Sequence, residues 1–288
     1  MDEMQYWIWV SRIEKLGSIR TQKLLEIYKS PKNIWNATKA ELMNIEGIGE
    51  KIAKEIVNPI YRLNLEKYEK YMKNNNIELI HIFDEKYPEK LKQIYDKPIV
   101  LYAKGNVNIL NDFSLAIIGC RENTKYGEIV AQNLSYEIAK CGITTVSGLA
   151  RGIDSIAHKA TLKANGKTIA VIGSGLDNIY PSENNELAMQ IIKNEGVILS
   201  EYVIGTKPEK MNFPARNRII SALSSGVVVI EAKQKSGTMI TVDFALEQGK
   251  EVFAVPGNIT NPNSQGTNEL IKQGAKLTTS IVDILEEL

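Results

Sequence analysis

Histidine and cysteine are scarce in this chain: His81, His158, Cys120 and Cys141 are the only four among 288 residues. That spacing supplies none of the clustered thiolates and imidazoles that hold zinc, so no metal site is expected. Two distant thiols build no disulfide framework, and the opening MDEMQYWIW lacks the basic start and apolar run of a secretory leader. A cytoplasmic, reduced protein is expected. No run approaches the roughly 20 apolar residues of a membrane-spanning helix, so no membrane partner is expected either. Charge of one sign is lacking too, with 35 Lys+Arg against 34 Asp+Glu. A global basic field is thereby excluded, and any binding to nucleic acid must come from a local patch. Nucleotide signatures are also missing. A G-x-G-x-x-G starting at Gly119 meets Arg121 and Thr124, one starting at Gly173 meets Asn178, and no glycine loop ends in a Walker lysine. No cofactor is expected.

What is present divides into three parts. Residues 1–75 show apolar residues at three- and four-residue spacing (Trp7, Val10, Ile13; Leu24, Ile27, Tyr28), which predicts a small α-helical domain of sterile-alpha-motif or helix-hairpin-helix type. Within it, Ile45, Gly47, Ile48 and Gly49 lead into a helix near Glu50. Such a glycine hairpin either packs two helices or offers backbone N–H groups to a DNA phosphate, and both readings stand. Residues 76–112 form a bridge with apolar runs at Glu78–Phe83 and Ile99–Ala103, and His81 alternates with apolar neighbours there, as a structural histidine does. From 113 to 288 six apolar runs (LAIIG, ITTVSG, KTIAVIGSG, VILSE, VVVIEA, EVFAVPG) alternate with amphipathic segments. This rhythm predicts a Rossmann-like α/β fold, a doubly wound, mostly parallel sheet, because parallel neighbours need crossovers that cover both faces.

Ligands of such sheets bind at the carboxyl ends of the strands. There the chain carries GCRENTKYG (Gly119, Cys120, Arg121), SGLARGID (Gly148, Arg151, Gly152), GSGLDNIYP and EAKQKSGTMIT (Ser236, Gly237). Each is a glycine loop opening a helix, a set of anion cradles on one rim. The stretch GTKPEKMNFPARNRIIS adds Lys207, Lys210, Arg216 and Arg218 against one acid, Glu209, together with Phe213. Cations beside an aromatic ring suit a single nucleic-acid strand; alternatively the loop is solvated and Phe213 plugs the core. Arg216 and Arg218 cannot share a helical face, so one is expected at the rim and the other in an internal ion pair.

These blocks, IIGCRENTKYG, SGLARGIDSIAH, GLDNIYPSEN, FPARNRIISALS, SGTMITVDFALEQGKEVFAVPG and SQGTNELIKQGA, stand in order between Ile117 and Ala275 and closely resemble the DNA-processing protein A (DprA/Smf) family. The resemblance implies a cytoplasmic bacterial protein of natural transformation, a homodimer without established catalytic activity. It implies that the protein binds single-stranded DNA, protects it and loads the RecA recombinase onto it. It also implies that Arg121 and Lys210 meet phosphate and that Phe213 stacks a base. Cys120 stands where the family has serine, which leaves a backbone N–H contact there. The winged-helix domain of many members is expected to be missing or minimal, since the chain stops at Leu288.

An enzyme of related Rossmann-like fold, resembling the lysine-decarboxylase-like phosphoribohydrolases, is the alternative, with Arg121, Asp154 and Glu247 around a nucleotide. The residues favour another part for Asp154: capping the helix that begins SIAHKA, with His158 one turn on and within reach of its carboxylate.

Overall fold

A nine-stranded sheet organises the computed structural model, which describes residues 1–288. In chain order the strands are β1 (Glu78–His81), β2 (Val100–Gly105), β3 (Ser114–Ile118), β4 (Thr144–Ser147), β5 (Thr168–Ile172), β6 (Val197–Ser200), β7 (Gly226–Val229), β8 (Glu251–Ala254) and β9 (Lys276–Leu277). Across the sheet they run β1-β2-β6-β5-β4-β3-β7-β8-β9. All pairs from β6 to β9 are parallel, whereas β1 and β2 add an antiparallel edge. The six predicted runs are the six parallel strands β3 to β8. The bridge is more than a connector, since its two apolar runs pair in register and join the same sheet through β6.

The helices are α1 (Glu3–Arg12), α2 (Gly17–Tyr28), α3 (Pro31–Asn36), α4 (Lys39–Met43), α5 (Glu50–Ile56), α6 (Leu65–Asn74), α7 (Glu89–Lys92), α8 (Lys125–Lys140), α9 (Ile153–Lys163), α10 (Asn185–Lys193), α11 (Asn212–Leu223), α12 (Gly237–Glu247), α13 (Pro262–Lys272) and α14 (Ile281–Leu285). Alternation along β3 sorts the two layers. Leu115 and Ile117 pack against α8 and α9 through Leu134, Ile138 and Ala157, while Ala116 and Ile118 pack against α11 and α12 through Ile219 and Val242. Both faces are buried, which is why the strands read as unbroken apolar runs.

Residues 1–75 fold around Trp9, Leu24, Ile34, Leu42 and Ile56, and this core continues onto the sheet through Leu79, Val100 and Tyr102. The Tyr102 hydroxyl meets Ser11 Oγ at 2.6 Å. Gly47, at φ +86, turns α4 into α5 as the glycine hairpin predicts. Arg20 closes the turn by donating to the Gly47 carbonyl at 3.2 Å, and Glu46 and Glu50 beside it pair with Lys23 and Lys39. Of the two readings of that hairpin, these contacts favour helix packing.

Candidate nucleic-acid interface

From β3 the chain steps outward through β4, β5 and β6, then crosses back to lay β7 on the other side of β3. The loops leaving β3 and β7 therefore diverge and open a crevice at the switch point. It holds a cavity of about 620 Å³ lined by Gly119, Cys120 and Arg121 after β3, by Lys233, Ser236 and Gly237 after β7, and by Lys210, Phe213 and Arg216 at the start of α11.

The glycines that shape this rim are demanded by close approach. Gly152 sits at φ +74, and a Cβ there would lie 2.3 Å from the Cys120 carbonyl oxygen. A Cβ on Gly148 would meet the Asp154 carboxylate at 2.7 Å and the Arg216 guanidinium at 2.8 Å. Asp154 does not cap α9. Its carboxylate accepts from the loop N–H groups of Gly148 (3.2 Å) and Ala150 (3.3 Å), because the chain reverses over it before the helix begins. Nor does His158 reach Asp154. Its Nδ1 pairs with Thr168 Oγ1 at 2.7 Å, its Nε2 has no partner, and burial, with Arg216 adding to it, pushes the imidazole down to about 3.

The predicted cations separate into free and committed. Arg121 is exposed, with its guanidinium carbon 5.6 Å from the Phe213 ring centre, and Lys210 is exposed at the mouth. Phe213 lines the cavity rather than plugging the core, and the Tyr180 ring stands 5.6 Å from it at 41°. Arg216, expected among the DNA contacts, is instead 4% exposed. It donates to the carbonyls of Gly148 (2.8 Å) and Val171, so it braces the cavity floor. Burial pulls its guanidinium down to about 10. Arg218 makes the expected internal pair, with Glu201 at 2.7 Å and Asp96 at 3.0 Å. Arg151, expected in the rim's anion cradles, is likewise taken, forked onto Glu183. Lys207 is exposed but stands outside the cavity lining, because the loop carries only Lys210 to the mouth. Cys120 has its side chain buried and its thiol pushed up by that burial, which leaves backbone as its way to touch a ligand.

Three features escape a reading of loops one at a time. Glu231, directly after β7, accepts from Thr124 N (2.9 Å) and Thr124 Oγ1 (2.5 Å), in space that Gly127 leaves open. A carboxylate of the chain itself thus fills the start of α8, so not every predicted anion cradle is vacant. The start of α12 is vacant: Ser236 makes no capping bond, its buried Oγ has no partner, and Gly237 faces open space. Lys233 and Tyr180 also line the crevice; the residues EAKQKSG carried a signal for Lys233, and nothing local marked Tyr180. The nucleotide-hydrolysing set is not assembled. Glu247 ends α12, about 15 Å along the helix axis from the crevice.

A doubly wound α/β protein with a cationic, aromatic-lined crevice and one open helix start at its switch point belongs to the Rossmann-like class. Within that class the chain belongs to the DNA recombination-mediator protein A family, whose family model matches residues 78–288. It is similar to the DNA processing protein DprA of Bacillus subtilis, 49% identical over 217 residues that cover 75% of this chain and 73% of that protein. It is similar also to the X-ray structure of DprA from Streptococcus pneumoniae, with a TM-score of 0.84 at 36% identity, covering 99% of this chain and 98% of that one. The Helicobacter pylori DNA processing protein A, solved for its unique single-stranded DNA binding mode, matches with a TM-score of 0.66 at 34% identity, over 73% of this chain and 94% of that one.

Proposed function

We propose that this chain binds single-stranded DNA in the switch-point crevice, protects it, and loads the RecA recombinase onto it during natural transformation, in the cytoplasm and without catalysing a reaction. One observation carries the reading. Arg121, Lys210 and Lys233, none of them taken by a carboxylate, surround Phe213 and Tyr180 beside the vacant start of α12. Phosphates are drawn to the cations and the helix start, and bases to the rings, a combination that follows a strand without reading its sequence. The single-strand binding of the Helicobacter pylori relative supports it, and the family's description as recombination mediators supports the handover to RecA. A homodimer is part of the proposal, supported by exposed apolar side chains at one end of the sheet, Leu277 on the edge strand β9 and Val282 and Leu285 on α14, with Glu287 just after that helix paired to Lys276 of β9. No helix is long and apolar enough to cross a membrane.

The non-catalytic reading is supported by the acid and base at hand. Asp154 is held by two backbone amides with its carboxyl pushed up by burial, and His158 is sealed away as a neutral ring. The test is filter binding of labelled oligonucleotides across a salt series. Single strands should win over duplexes, with a log–log salt slope of about −2 for three phosphate contacts. Absent binding at low salt, with a nucleoside monophosphate losing its base on incubation, would replace this reading with the hydrolase.

A further inference from the structure

A second cavity, of about 610 Å³, opens where α12 ends, between the turn that follows α7 and residue 19 of α2. Lys90 on α7 and Lys250 before β8 line it, both half-buried. Burial pushes both ammonium groups down, and the charge of Lys250 adds to the effect on Lys90. Neither has a carboxylate partner. Asp112, whose charge acts on Lys90, pairs with Lys167 at 3.6 Å, and Asp96 on the rim pairs with Arg218 at 3.0 Å. Glu247 is exposed on the rim and engages neither lysine. Lys90 Nζ donates only to neutral oxygens, the Asp112 carbonyl at 3.2 Å and Ser225 Oγ at 3.4 Å. Two like charges drawn out of water without a counter-ion are costly, and a bound anion offsets that cost. Over the same cavity stands Tyr95, 79% exposed, an unburied ring beside unpaired cations.

The two cavities share α12. Its first residues, Gly237 and Thr238, face the switch-point crevice, and its last, Phe244 and Glu247, face this one. At 1.5 Å per residue they lie about 15 Å apart along the axis, the reach of about four or five nucleotides of a stacked strand.

We propose that the second cavity is a distal phosphodiester site that takes the strand leaving the first, with Lys90 and Lys250 on a phosphate and Tyr95 stacked on a base. The inference rests on the single-strand reading above. Its test is fluorescence anisotropy on the full chain with thymidine oligonucleotides of four and of twelve nucleotides. The pair Lys90→Gln and Lys250→Gln should weaken the twelve-mer roughly tenfold and flatten its salt slope by about 0.7, as one phosphate contact is lost, leaving the four-mer as in the parent. Tyr95→Ala, at a site too exposed to disturb the fold, should weaken the twelve-mer roughly tenfold with no change in slope. Unchanged twelve-mer binding in both variants overturns the site, and so does equal weakening of both lengths. If the parent bound neither length, the single-strand reading would fall, and this site with it.

Discussion

At the scale of single residues, charge and stacking can be told apart. Phe213 carries no charge, so Phe213→Ala should cost about 1–3 kcal/mol of binding in the nitrocellulose assay while the salt slope stays where it was. A changed slope would mean that the ring mainly positions Arg121, which lies 5.6 Å from its centre. Gly152 is a rim residue whose replacement should harm the fold directly. Its backbone sits at φ +74 and ψ −129, and a methyl group would press on the Cys120 carbonyl. Gly152→Ala should lose at least about 1–3 kcal/mol in urea unfolding, and an unchanged midpoint would show that the loop shifts to make room. Residue identity told less about Arg151 and Arg216. Whether a cation is free depends on what lies across the fold: Glu183 is 32 positions from Arg151, and the Gly148 carbonyl is 68 positions from Arg216. Arg121 and Lys210 were legible as rim residues because each stands in a loop that leads straight there, and Phe213 because it opens α11 directly after that loop.

At the scale of elements, α9 and β5 enclose a histidine that titrates against the fold. Burial lowers the His158 imidazole to about 3, below its unfolded value near 6.5. The unfolded chain therefore takes up a proton between those values that the native one refuses, so stability is full above about pH 6.5 and falls as the medium acidifies. The fall reaches at most about 1.4 kcal/mol per pH unit. His158→Gln should remove this component, leaving the smaller one from His81, which burial against Trp7 also lowers. Urea unfolding at pH 7 and pH 5 measures the difference, and an equal acid loss in variant and parent would contradict it. The six parallel strands were legible as elements because a sheet buried on both faces writes unbroken apolar runs. β9 was not, since a two-residue strand has no periodicity to read. The antiparallel pairing of β2 with β6 joins segments far apart in the chain, and no local pattern records it.

Across the whole molecule, the helical residues 1–75 and the sheet share one continuous core through Leu79, Val100 and Tyr102. A cut at residue 110 would remove β1 and β2, strip the edge of β6 and bare the sheet's own core where Leu91, Leu101 and Ile109 cover it. Such a fragment should aggregate, visible as high mass in light scattering, because an open apolar edge pairs with other chains. A monodisperse fragment would show that the sheet from β3 onward stands alone. The crevice itself is a property of this scale, since its walls come from loops after β3 and β7 and from the start of α11, brought together only by the switch in strand order. The most direct measurement is oligonucleotide binding by the double variant Arg121→Ala, Lys210→Ala across a salt series. Affinity should fall alike for all sequences, and the log–log salt slope should flatten by about 1.4. Affinity and slope equal to those of the parent protein would place the DNA elsewhere and contradict the crevice as its site.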